Sequence, residues 1–139
     1  MENVLHALLA GCIVSIAWFI AGGILYMNPF VAKVYKKIED HPGMKKWDNQ
    51  KKYLTYMYLI GALIPCLIFS FVYESISPVS VLHFALILVG VRIIPRFVDM
   101  WMQSSYPNTL LFIEIINGTI LSFMAAFLLQ VLQSVPLGT

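Results

Sequence analysis

The stretch VLHALLAGCIVSIAWFIAGGILYM, residues 4–27, decides the class of this protein. It runs its whole length without Asp, Glu, Lys or Arg. A bilayer core about 30 Å thick takes roughly 20 apolar residues of helix, so this stretch is long enough to span one. It is apolar on every side, as a helix facing lipid is. Ala7, Gly11 and Ser15 recur every fourth residue and form a small-residue stripe suited to close helix contact. Asn28-Pro29 ends the run, because proline disfavours helical geometry at the residue before it. The start lacks the positive n-region and small-residue cleavage site of a secretory signal, so a retained transmembrane helix is expected.

Three further apolar stretches follow, over about residues 53–74, 78–97 and 109–132. Tyr53, Tyr56 and Tyr58 cluster where the second begins, as in an interfacial aromatic belt. Pro65 sits near its middle and predicts a kink. Ser77-Pro78 opens the third, with Ser77 as cap and Pro78 in the first turn. The third gives way at Pro95, Arg96 and Asp99. Asn108 is positioned to cap the fourth. Along the fourth, Glu114, Gly118, Ser122 and Ala126 recur every fourth residue and are expected to face the bundle interior.

The connection over residues 28–52 carries all seven lysines. Phe30, Val31, Val34, Tyr35 and Ile38 recur at helical spacing, with Lys33, Lys36 and Lys37 largely opposite. This pattern predicts a short amphipathic helix lying on the membrane surface. Asp48 is the expected cap of the next helix. The positive-inside rule places the loop in the cytoplasm. Two more crossings return Arg92 and Arg96 to the same side, and both termini face outward. The expected fold is thus all-α, a single integral membrane four-helix transmembrane bundle with one cytoplasmic interfacial amphipathic helix.

Composition agrees. About 60% of the 139 residues are hydrophobic and 12% charged, against roughly 45–50% and 25% in soluble domains. That excludes a disordered chain, a collagen and a nucleic-acid-binding surface. Cys12 and Cys66 lie inside apolar runs with no paired spacing, which argues for small core residues rather than a disulfide or zinc framework.

Ionisable residues at membrane depth are costly and point to function by default. Arg92, Arg96, Asp99 and Glu114 form the leading candidate group, with Asn117 one turn beyond Glu114. If the third span ends near residue 97, Arg92 and Glu114 each lie about 9 Å inside the cytoplasmic end, at about 1.5 Å per residue. An Arg92–Glu114 ion pair follows. It reads either as structural glue between the third and fourth helices or as a site for an anionic ligand or a proton. Pro95 leaves the Val91 carbonyl without its helical partner beside the arginines, and irregular backbone at depth favours a cavity. His6, Glu74 and His83 form a second set near the outer face, a weak candidate for a metal and more simply three interfacial polar residues. Trp18, at mid-membrane, reads as core. The lysines, with Phe30 and Trp47, suit anionic lipid headgroups. No nucleophile elbow, phosphate loop, zinc-protease or dinucleotide motif is present, and no cofactor is expected.

At Gly23-Ile24-Leu25-Tyr26-Met27-Asn28-Pro29 the chain resembles the small bacterial membrane proteins grouped as Domain of Unknown Function 1761. Their first helix ends in a Gly-Ala-Leu-Trp-Tyr-Ser-Pro-like run. Gly23, Leu25 and Pro29 agree with it, whereas Tyr26 and Met27 replace its Trp and Tyr. Leu110-Leu111-Phe112-Ile113-Glu114 and Gly118 are similar to that family's last helix. The resemblance covers the ends of the chain better than its middle. It implies four spans and a bacterial inner membrane, and no activity.

The expected role is a non-enzymatic membrane protein that self-associates or binds a partner through its small-residue faces, since four helices bury little alone. The alternative is a small oligomeric transporter or binder of an anionic or amphipathic molecule, using the Arg/Glu group.

Overall fold

The computed structural model describes residues 2–135, all in helices and connecting segments with no strand among them. Helix α1 spans Glu2–Met27 and α2 spans Pro29–Lys37. Helix α3 covers Gln50–Ile76, α4 covers Val81–Gln103, and α5 covers Asn108–Ser134. Helices α1, α3, α4 and α5 are each long and apolar enough to cross a membrane, which fits a multi-pass membrane protein.

Local chemistry sets the boundaries. The Asn28 carboxamide accepts from the backbone N–H groups of Phe30 and Val31, at 3.1 and 3.0 Å, and Pro29 occupies the first turn of α2. Two caps differ from the expected ones. Asn49 rather than Asp48 caps α3 and accepts from Lys52 N–H. Ser80 rather than Ser77 caps α4, which therefore starts at Val81. Asn108 is the first residue of α5 and makes no cap; Pro107 holds that position.

The prolines in mid-helix do not end their helices. Each is preceded by one wide π turn, Leu59–Leu63 before Pro65 and Val89–Ile93 before Pro95. There the Ile64 N–H bonds to the Leu59 carbonyl and the Ile94 N–H to the Val89 carbonyl, five residues back. A wide turn moves the carbonyl that the pyrrolidine ring would strike and lets the helix continue. Helix α4 thus runs past Pro95 to Gln103, further than the expected end near residue 97.

Helices α1 and α5 pack together at the centre, with α3 laid on α1 and α4 on α5. Val14, Cys66, Phe84, Ser15, Ser70 and Ser122 are fully enclosed. The Tyr73 and Phe84 rings meet edge to face at 4.9 Å and join α3 to α4. Ile20, Ile24, Ile60, Leu82, Val91 and Phe112 point outward, a surface suited to lipid. The ends of α1 and α5 meet at one pole, the terminal pole. Helix α2 and the lysines gather at the other, the lysine pole.

The small-residue stripes pack inside the chain. Ala7 and Ser15 are buried, and a Cβ on Gly11 would stand 3.0 Å from the Leu67 Cα and 3.2 Å from the Cys66 carbonyl oxygen. Ser122 and Ala126 are fully buried, and Gly118 lies against Ile93. The expected close contact is made, but by helices of one chain. Gly118, Ser122 and Ala126 thus face the bundle interior as expected, and Ala7, Gly11 and Ser15 likewise meet helices of their own chain.

Candidate functional site

The lysine pole brings α2, α4 and α5 together around Glu114. Its Oε1 accepts from the Tyr35 hydroxyl at 2.6 Å, and its Oε2 lies 3.3 Å from Arg96 Nη2. The Glu114 side chain is 15% exposed and that of Arg96 61%. Tyr35 is held in place by α2, whose apolar face turns Val31 inward. Its ring lies 6.1 Å from that of Tyr26 at the end of α1, edge to face. Burial and the Glu114 carboxylate both push the Tyr35 phenol well above its ordinary range, so at neutral pH it only donates to that carboxylate.

The ion pair is therefore Arg96–Glu114, where Arg92–Glu114 was expected. The reason is the length of α4. Arg96 lies seven residues before Gln103 and Glu114 six residues after Asn108, which puts both about 10 Å inside the helix ends. Arg92 lies a further turn inward, and there it meets aromatic rings. Its guanidinium carbon is 4.4 Å from the centroid of Trp18 and 5.8 Å from that of Phe69. A cation over a tryptophan face away from water contributes about 2 kcal/mol. The Arg92 Nη1 and Asn117 Nδ2 atoms are buried without a hydrogen-bond partner. Asn117, expected to join the ion pair, points its amide elsewhere.

A cleft of about 540 Å³ opens beside Glu114. Tyr35, Arg96, Asp99, Tyr106 and Glu114 form its polar lining, and Met44, Met100 and Leu110 its apolar wall. The segment after α2 is fastened over it. The Tyr106 hydroxyl donates to the Gly43 carbonyl at 2.7 Å, and His41 Nε2 lies 2.9 Å from Ser105 Oγ. A Cβ at Gly43 would stand 2.6 Å from the Tyr106 hydroxyl oxygen, so a larger residue there would have to push that ring aside.

The terminal pole holds a second polar group. His6 Nδ1 lies 2.8 Å from Glu74 Oε1, and His6 Nε2 lies 3.3 Å from the Leu132 carbonyl oxygen. Gln133 donates to Glu74 Oε2 at 3.4 Å and accepts from Ser77 at 2.8 Å. Three helices are tied through one carboxylate. His83, grouped with His6 and Glu74 in the sequence, is separate: its Nδ1 lies 2.7 Å from Ser80 Oγ, at the start of its own helix. Among the described residues no three His, Cys, Asp or Glu side chains gather as a metal site would need.

Sequence reasoning named Arg96, Asp99 and Glu114 but missed Tyr35, Tyr106 and Met44 as members of the same site. Tyr35 read as part of an apolar helix face, and Met44 and Tyr106 lie in segments between helices, where spacing gives no signal. Only the fold shows that all three line one cleft with Glu114. The chain matches no protein-family model, no curated protein and no solved structure.

Proposed function

We propose that this is a non-enzymatic multi-pass membrane protein that binds an amphipathic molecule by its charged group in the cleft at the lysine pole. Three features support the reading. Arg96 offers an exposed guanidinium about 10 Å inside the end of α4. Met44, Met100 and Leu110 offer an apolar wall beside it. The cleft also lies beside the seven lysines, which by the positive-inside rule put this pole in the cytoplasm and both termini outside. In this arrangement α2 lies along the membrane surface with Phe30 in the interface and Lys33, Lys36 and Lys37 toward the headgroups. The resemblance at the ends of the chain supports a bacterial inner membrane as the setting.

The observation that carries the proposal is the Arg96–Glu114–Tyr35 group opening into a cleft with an apolar wall. Arg96 is exposed, so Arg96→Ala folds. It is expected to lose the rise in melting temperature that added lipid gives the purified protein in detergent. A lipid response in Arg96→Ala equal to that of the wild type would sink the proposal.

A further inference from the structure

The charges lining the cleft do not suit a plain anion. It holds one guanidinium, Arg96, and two carboxylates, Asp99 and Glu114. Glu114 is already satisfied by Tyr35 and Arg96. Asp99 is exposed and has no cation within ion-pair distance among the described residues. Arg96 meets Glu114 through Nη2 at 3.3 Å and is 61% exposed, which leaves guanidinium donors free for a ligand in the cleft it lines. Arg96 and Asp99 are three residues apart on α4, nearly one above the other, with a rise of about 4.5 Å between them. The cleft therefore presents a positive and then a negative group in sequence along one helix face, beside an apolar wall.

Resting on the amphiphile-binding reading, we infer that the ligand is a zwitterionic phosphate ester with a primary ammonium and an acyl-bearing body, its phosphate on Arg96 and its ammonium on Asp99. A monoanionic headgroup would satisfy Arg96 but set its charge against both carboxylates. A phosphate and an ammonium two methylenes apart match the one-turn spacing of Arg96 and Asp99. A primary ammonium also has three N–H donors for the Asp99 oxygens, whereas a trimethylated one has none. Asp99 lies nearer the end of the helix at Gln103 and Arg96 one turn inward, so the ammonium is outermost and the acyl-bearing body lies inward of Arg96.

The test uses the full-length protein purified in detergent. Its melting temperature is measured with phosphatidylethanolamine, phosphatidylcholine and phosphatidylglycerol of matched chains, and with soluble phosphoethanolamine. The wild type is expected to respond at roughly tenfold lower phosphatidylethanolamine concentration than for the other two lipids. Asp99→Asn removes the negative group and is expected to reverse the order in favour of phosphatidylglycerol, with its lipid-free melting temperature unchanged. Soluble phosphoethanolamine is expected to give little response; a response equal to the lipid's would support the headgroup chemistry but overturn the acyl-bearing body. Equal responses to all three lipids, or a phosphatidylglycerol preference that Asp99→Asn leaves unaltered, would overturn the inference while sparing the amphiphile-binding reading. No response to any lipid would overturn both.

Discussion

The two poles each tie three helices through one carboxylate, but only one of them leaves polar groups unspent. At the terminal pole both Glu74 oxygens and both His6 nitrogens have partners, and Gln133 is held by Ser77. The space beside them is small, about 230 Å³. At the lysine pole Glu114 is equally well held, yet its partner Arg96 is mostly exposed and Asp99 has no cation beside it among the described residues. The space there is more than twice as large. A polar network whose members are all satisfied acts as structural glue, while one with directed donors and acceptors left over beside a cavity is equipped to take a ligand. Mere presence of charge at depth does not separate the two cases. Arg92 lies further from a helix end than any other Lys or Arg among the described residues, and it is packed among rings.

The largest expected effect breaks the frame that both poles share. Gly11→Leu drives a side chain into the Leu67 and Cys66 backbone, which cannot rotate away. It should cost about 3 kcal/mol or more, seen as loss of a single size-exclusion peak and of a cooperative melt. Gly118→Ala meets only the flexible end of Ile93 and should be milder.

Glu74→Ala breaks the terminal pole alone. It strands His6 and Gln133, and should cost about 2 kcal/mol as a lower thermal midpoint in detergent. The lipid response should survive in full. Were that response lost, the terminal pole would be part of the site and the contrast between the poles would fail.

Arg96→Ala is the counterpart at the lysine pole. Arg96 is mostly exposed, but Glu114 is 15% exposed and keeps only Tyr35 as a partner, so the stability cost without lipid should be about 1 kcal/mol. Tyr35 sharpens the same comparison through pH. Its phenol is raised in the folded protein, so the stability linked to it is complete below the ordinary tyrosine range near pH 10 and is lost as pH climbs above it. Tyr35→Phe is therefore expected to show a shallower fall in midpoint between pH 10 and 11 than the wild type. The smallest effect belongs to Asp40→Asn. Lys46 holds the Asp40 carboxyl below its usual range, but both side chains are in solvent and no shift of the midpoint at pH 7 is expected.

Much of the frame was legible in the residues because hydropathy and capping are local. The four long helices, the Asn28 cap and the burial of the small stripes all follow from spacing along one helix. The nearness of His6 to Glu74 followed from topology alone. What spacing does not carry is how a helix deals with a proline. Reading Pro95 as the approach of a helix end placed Arg92 level with Glu114. The π turn at Val89–Ile93 carried α4 on to Gln103 and brought Arg96 to that level instead. Tyr35, Met44 and Tyr106 were out of reach for another reason. Their roles depend on how the segments between helices fold back over α5, which no periodicity encodes.

The division of labour between the poles is tested most directly by native mass spectrometry of the wild type, Arg96→Ala and Glu74→Ala, each released from the same detergent with phosphatidylethanolamine added. The expected result is a retained lipid adduct on the wild type and on Glu74→Ala, and its loss from Arg96→Ala. An adduct that persists on Arg96→Ala, or disappears equally from both variants, would contradict the assignment of binding to the lysine pole.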